Sequence, residues 1–226
     1  MDYLQDQMQN KTRILIVDDH PIVREGLIRL INRQPDLLVC EEAETVADAL
    51  AAIVQGQPDL TLLDLILKDR SGLDLIKDVQ ARYPQHPILV LSMQDESMYA
   101  ERVLRAGARG YIMKQEGTDN LIQAIRQVLR GEIYLSDKMS SQLLNRFASG
   151  PGKLPPATEE LLSDRELEVF ELIGRGLGTR EIAQRLFVSI KTVETYRANI
   201  KQKLKLQNAP ELAHRAFQWV QSQTGK

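Results

Sequence analysis

Five short runs that are apolar almost throughout mark the first half of the chain: RILIVD from Arg13, LLVCEE from Leu37, LTLLD from Leu60, ILVLS from Ile88 and RGYIM from Arg109. Between them apolar residues recur at three- and four-residue spacing, in stretches that begin near Pro21, Thr45, Gly72, Glu96 and Thr118. Runs without alternation suit strands covered on both faces, and the intervening spacing suits helices that cover them. The order predicts an α/β domain, a (βα)5 doubly wound parallel sheet over residues 13–131, with its functional crevice at the carboxyl ends of the strands.

The pattern stops near Gly131. After one more helix-like stretch the chain reads ASGPGKLPPATEE, whose glycines and prolines can neither extend a helix nor bury much surface, so a linker is expected over 132–160. Residues 1–12, with no basic start and no apolar core, are expected to be a tail.

An all-α domain is expected over 161–226. SDRE, Ser163 to Glu166, has the form of a capping box, and Val169, Phe170 and Ile173 give the helix after it an apolar face. A short helix, TREIAQRL, starts with Thr179 as its expected cap and shows Ile182, Ala183 and Leu186 on one face. After the turn FVS, Ser189 can cap a third helix, in which Val193, Tyr196, Ile200 and Leu204 recur at helical spacing and should face inward. Its opposite face shows Lys191, Glu194, Thr195, Arg197, Ala198 and Lys201. Two helices, a short turn and a basic third helix predict a helix-turn-helix within a four-helix domain.

Charge agrees with the division. The whole chain is close to neutral at −2, but residues 1–130 carry 15 Lys+Arg against 20 Asp+Glu, and residues 131–226 carry 14 against 11. From Phe187 onward seven basic residues face only Glu194 and Glu211, a balance that favours a polyanionic partner. The one cysteine, Cys40, allows no internal disulfide and reads as a small core residue. No stretch has the length of a membrane span, so a cytoplasmic protein without membrane contact is expected.

The candidate chemistry lies at the strand ends. Asp18 and Asp19 follow the first strand, Asp64 ends the third, Ser92 the fourth, and Lys114 stands just beyond the fifth. Carboxylates gathered on one rim repel and raise one another's pKa values, which a divalent cation would relieve. Mg2+ favours a few carboxylates together with water and phosphate oxygens, which fits this set. Asp64 could then attack a phosphoryl group and form an acyl phosphate, with Ser92 and Lys114 holding phosphoryl oxygens. His20, beside Pro21, reads as a helix-entry residue, and His86 and His214 as structural.

ILIVDDHPIVREGL, PDLTLLDL, ILVLS and AGARGYIMK, in this order, resemble the receiver domain of two-component response regulators, a flavodoxin-like fold. The resemblance implies Asp64 as phosphoacceptor, Asp18, Asp19 and Asp64 as Mg2+ ligands with the main-chain carbonyl of Ile66, Ser92 and Lys114 as phosphoryl contacts, and Tyr111 as an aromatic switch. Two places depart from it. Leu67, Lys68 and Asp69 stand where the family has a Met-Pro-Gly type loop, and Gln115 where it has a proline after the lysine.

LSDRELEVFELIGRGLGTREIAQRLFVSIKTVETYRANIKQKL resembles the LuxR-type helix-turn-helix, and the pair of domains matches the NarL/FixJ family of regulators. Thr179 departs from a frequent asparagine and Tyr196 from a frequent histidine. The implied function is a DNA-binding response regulator that takes a phosphoryl group from a sensor histidine kinase, dimerises when active and regulates transcription. No enzymatic activity is expected beyond self-phosphorylation and autodephosphorylation.

On double-stranded DNA, Arg180, Lys191, Arg197 and Lys201 are expected at phosphates, with Thr192 adding a hydroxyl contact. Glu194, Thr195 and Ala198 are the candidates for base edges. Two other functions compete: a phosphate-ester hydrolase using Asp64 as nucleophile, which lacks a motif for a general acid or a cap, and a receiver-like DNA-binding regulator controlled by protein partners independently of phosphorylation.

Overall fold

The computed structural model describes residues 11–148 and 161–224; nearly all of the expected tail, and the Gly- and Pro-rich stretch after Ala148, lie outside the described residues. Contacts divide the chain into two compact units between Ser141 and Gln142.

In the first unit β1 (Thr12–Val17), β2 (Leu37–Ala43), β3 (Leu60–Leu63), β4 (Ile88–Ser92) and β5 (Gly110–Met113) form one sheet in the order β2-β1-β3-β4-β5. Every pairing is parallel. Ile14 to Val17 and Ile88 to Val90 are fully buried, as the uninterrupted apolar runs require. The helices are α1 (Pro21–Asn32), α2 (Val46–Gly56), α3 (Gly72–Arg82), α4 (Glu96–Ala106) and α5 (Thr118–Leu129). Their starts follow local chemistry: Pro21 opens α1, and Thr45, Ser71 and Asp95 cap α2, α3 and α4 by accepting from backbone N–H groups. Ile14, Ile16 and Leu62 from the strands meet Leu27, Ile31, Leu121 and Ile125 from α1 and α5 in one core cluster.

One glycine decides how close a helix can come to the strand ends. A Cβ on Gly72 would lie 2.5 Å from the carbonyl oxygen of Asp64 and 2.8 Å from Leu65 Cα, so α3 starts here only because the position carries no side chain.

The start of the expected linker is built into the first unit. Tyr111 N–H donates to Tyr134 O at 3.0 Å and Tyr134 N–H to Arg109 O at 3.0 Å, so this segment covers backbone groups at the outer edge of β5. Ser136 then donates its N–H to Glu96 Oε1 at 2.9 Å, and its hydroxyl bonds the other carboxylate oxygen. Helix α6 (Asp137–Ala148) follows directly.

His86 gives this unit a pH dependence. Its Nε2 pairs with the buried Thr61 hydroxyl at 2.7 Å, and burial holds its pKa below the ordinary value. The folded state therefore binds this proton less readily than the unfolded chain, and stability falls as the pH drops below about 6.5, the ordinary histidine value. We expect the melting temperature to decline between pH 7 and 5 more steeply in wild type than in His86→Gln. Equal slopes would exclude this residue as the source.

The second unit holds α7 (Asp164–Gly174), α8 (Thr179–Arg185), α9 (Ile190–Lys203) and α10 (Ala209–Thr224). Ser163 and Glu166 form the expected capping box, and Glu166 also accepts from Lys203 Nζ at 2.6 Å, tying the end of α9 to the start of α7. Burial alone would raise the Glu166 pKa, but the Lys203 and Ser163 hydrogen bonds outweigh it and hold the carboxyl below its usual range. Thr179 is not the cap of α8 but its first residue. Gly178 holds the cap position, its N–H donating to Glu181 Oε2 at 2.7 Å. The rings of Phe170 and Trp219 pack 5.3 Å apart between α7 and α10.

Candidate functional site

Parallel register brings the strand ends together. Val17 is level with Leu63, Leu63 with Val90, and Ser92 with Met113, so the residues that end these strands or follow them emerge on one rim. The sheet order reverses between β1 and β3, which places Asp18, Asp19 and Asp64 at the point where the crevice of such a sheet opens.

Lys114 is the centre of the arrangement. Its Nζ lies 2.6 Å from Asp18 Oδ2 and 2.6 Å from Asp64 Oδ2, with only 10% of the side chain exposed. Its own N–H donates to Ser92 O at 2.8 Å, which fixes the turn after β5 against β4. The other oxygen of Asp64 accepts from the Ser92 hydroxyl at 3.1 Å and from Ile66 N–H at 3.4 Å. Burial pushes the Asp64 pKa up, and the nearby ammonium only partly offsets this. Burial alone would lower the Lys114 pKa, but Asp64 and Asp18 outweigh it and keep the ammonium charged.

Three carboxylates face this one ammonium. Asp19 Oδ1 is buried and has no hydrogen-bond partner among the described residues. His20 Nδ1 approaches it to 2.7 Å without the alignment of a hydrogen bond, and lies 3.2 Å from Asp18 Oδ1. Ligand atoms of Asp18, Asp19, His20 and Asp64 all fall within 4.8 Å of one another. An orphaned buried carboxylate oxygen beside two further carboxylates fits a divalent cation, and oxygen donors of this kind suit Mg2+.

The expectation that His20 serves only as helix entry is too narrow. Its ring is 61% exposed but turned onto the acidic pair, so it forms part of the pocket's rim. Adjacency in sequence carries no signal for that orientation. Tyr111 is fully buried and its hydroxyl donates to Gln94 O at 2.8 Å, while Gln94 N–H reaches the Ser92 hydroxyl at 3.3 Å. A hydrogen-bonded chain therefore runs from Asp64 through Ser92 and the loop after β4 to Tyr111. No cis peptide bond occurs among the described residues, so the chain passes Gln115 in the ordinary trans form.

Arg24 escaped the sequence-based expectations. It sits on the inward face of α1 and donates to the carbonyl oxygen of Asp18 at 2.7 Å. Only its position on a buried helix stripe could have drawn attention to it.

On α9, Val193 and Ile200 are fully buried and Leu204 nearly so, while Tyr196 is half-buried. Lys191, Glu194, Thr195 and Ala198 are exposed, Arg197 and Lys201 half-exposed, and Arg180 on α8 exposed. The Thr192 hydroxyl is 2.7 Å from that of Ser189, whose oxygen also accepts from Thr192 N–H at 3.0 Å. These bonds place the Thr192 hydroxyl at the capped start of α9. The Thr195 hydroxyl donates to Lys191 O at 3.0 Å, which leaves its lone pairs and methyl group outward.

Residues 14–126 match the family described as response regulator receiver domain, and residues 160–216 the family described as bacterial regulatory proteins, luxR family. The chain is 40% identical to the oxygen regulatory protein NreC of Staphylococcus carnosus, over 91% of this chain and 96% of that protein. Among solved structures it resembles RcsB of Salmonella enterica serovar Typhimurium bound to promoter rprA in the presence of phosphomimetic BeF3-. That match has 26% identity and a TM-score of 0.61, over 91% of this chain and 98% of that one. A structure of two RcsB dimers bound to two parallel DNAs matches with 26% identity and a TM-score of 0.55, over 91% and 97% of the two chains.

Proposed function

Because this chain belongs to the two-component response regulators that join a receiver domain to a LuxR-type DNA-binding domain, we propose that Asp64 accepts a phosphoryl group from a sensor histidine kinase and that this controls DNA binding. The observation that carries the assignment is the pair of hydrogen bonds that Lys114 Nζ donates to Asp18 and Asp64, with the Ser92 hydroxyl on the remaining oxygen of Asp64. One carboxylate is thereby oriented as nucleophile, between a hydroxyl and an ammonium that can follow the incoming phosphoryl oxygens.

Mg2+ would be held by Asp18, Asp19 and Asp64 with the main-chain carbonyl of Ile66, and when bound it neutralises charge on the phosphoryl oxygens. The residues of the chain do the rest. Lys114 offers a point charge to one oxygen, and Ser92 can exchange its bond to Asp64 for one to the phosphoryl group. Because Gln94 and Tyr111 are bonded in series with Ser92, a change there is passed to the loop before α4 and to β5. The chemistry of the chain is confined to taking and losing this group; repeated turnover of a phosphate ester would contradict that.

On DNA, Arg180, Lys191, Arg197 and Lys201 set affinity at phosphates, and Glu194, Thr195 and Ala198 read bases from the exposed face of α9. The RcsB dimers on DNA support a homodimer as the active form, and such a regulator acts in the cytoplasm. A genomic footprint of the full chain, with and without a small-molecule phosphodonor and Mg2+, tests the coupling. We expect occupancy to change on adding the donor. Identical footprints would favour control by protein partners independently of phosphorylation.

A further inference from the structure

The loop after Asp64 carries Lys68 and Asp69 in place of the proline and glycine of the Met-Pro-Gly type loop. Both are engaged. Lys68 Nζ donates to Glu44 Oε2 at 2.7 Å, and the Asp69 carboxylate accepts from Val46 N–H, each oxygen at 3.0 Å. The loop is thus pinned at two points to the connection between β2 and α2.

That connection is in turn pinned to the acidic pair. The second oxygen of Glu44 accepts from Arg24 Nη2 at 2.6 Å, and Arg24 Nη1 donates to Asp18 O at 2.7 Å. Arg24 Nε also reaches Glu42 at 3.2 Å. Side chains alone therefore join the backbone of Asp18 to the loop that begins at Asp64, through Arg24, Glu44 and Lys68. Arg24 is nine-tenths buried, and its planar fork makes three directed contacts that a lysine could not reproduce. The hydrogen bonds of Lys68 and Arg24 hold the Glu44 carboxyl below its usual range, so the junction keeps its negative charge.

We propose that Arg24 is a positioning residue for the acidic pocket, acting through Glu44 and Lys68 to hold its two cation-facing loops at the spacing a divalent ion requires. This rests on the assignment of Asp18, Asp19 and Asp64 to Mg2+. Arg24 touches no reacting atom. Its role is to stop the carbonyl of Asp18 and the segment from Asp64 to Asp69 from drifting apart, the part that residues behind a metal ligand play in other sites.

The sign of one measurement separates this role from plain electrostatics. Arg24→Met and Lys68→Met each remove a positive charge near a cation site, so Coulomb's law alone makes Mg2+ bind more tightly in both. Positioning makes it bind more weakly. By calorimetric titration of the full chain with Mg2+, we expect the dissociation constant to rise about tenfold in Arg24→Met and several-fold in Lys68→Met. Adding Glu44→Gln to Arg24→Met should weaken binding little further, since the relay is already broken. The Lys68 side chain is 44% exposed, against 11% for Arg24, so its variant keeps the test available if Arg24→Met does not fold. Wild-type binding with equal or tighter binding in the Lys68 variant would overturn the positioning role alone. Absence of saturable Mg2+ binding in wild type would overturn the assignment of the pocket as well.

Discussion

We expect Asp64→Ala to abolish the phosphoryl adduct, read by intact mass, when the full chain is incubated with Mg2+ and a small-molecule phosphodonor. The expectation rests on geometry. Of the three pocket carboxylates, only Asp64 has one oxygen on the Lys114 ammonium and the other on the Ser92 hydroxyl. Asp18 spends one oxygen on Lys114 and the other on His20 N–H, and Asp19 is remote from Ser92 in the bonding pattern. Aspartyl phosphate formation needs the carboxylate as nucleophile, so alanine removes the reaction and does not merely slow it. Asp19→Asn is the control, since it keeps the nucleophile and weakens the cation site; its adduct should form slowly but reach the same mass. An unchanged adduct in Asp64→Ala would end the assignment.

Lys114→Met should lower the stability of the first unit by about 3 kcal/mol in the absence of Mg2+, the usual scale for leaving a buried charge without its partner. Lys114 is the ammonium on both Asp18 and Asp64, and its side chain is almost wholly buried. Without it the two carboxylates face each other, and the upward shift that burial already imposes on the Asp64 pKa grows. Mg2+ becomes the principal counter-charge in the variant, so at equal Mg2+ the ion should stabilise it more than it stabilises wild type; at one hundred times the variant's own dissociation constant its gain is about 2.7 kcal/mol. Urea titrations at pH 7, with and without Mg2+, measure both quantities. A loss below about 0.5 kcal/mol, within the range of an ordinary surface substitution, would show that the ion pair is not what neutralises the pocket.

Much of this site was legible because its signals are local. Each carboxylate, hydroxyl or ammonium stands at or just after the end of an apolar run, and the run identifies its own end. Strand ends of a parallel sheet share an edge, so reading five runs is enough to collect Asp18, Asp19, Asp64, Ser92 and Lys114. The basic face of α9 was legible for the same reason, since helical period alone separates Val193 and Ile200 from Lys191, Glu194 and Thr195. The cap of α8 was misplaced by one residue because Glu181 bonds a backbone N–H, and a backbone donor leaves no trace in residue type.

What the sequence determined by itself was therefore the order of elements and the residues that stand at the strand ends. Tertiary structure alone decided the direction of side chains whose partners lie 20 or more residues away: Lys114 spanning Asp18 and Asp64, Arg24 reaching Glu44, Lys68 reaching the same carboxylate, and Ser136 fastened to Glu96. Periodicity reports which face of an element is buried, since burial depends on composition averaged along that face. A hydrogen bond depends on two particular atoms arriving within about 3 Å at a workable angle, and only the packed backbone settles that.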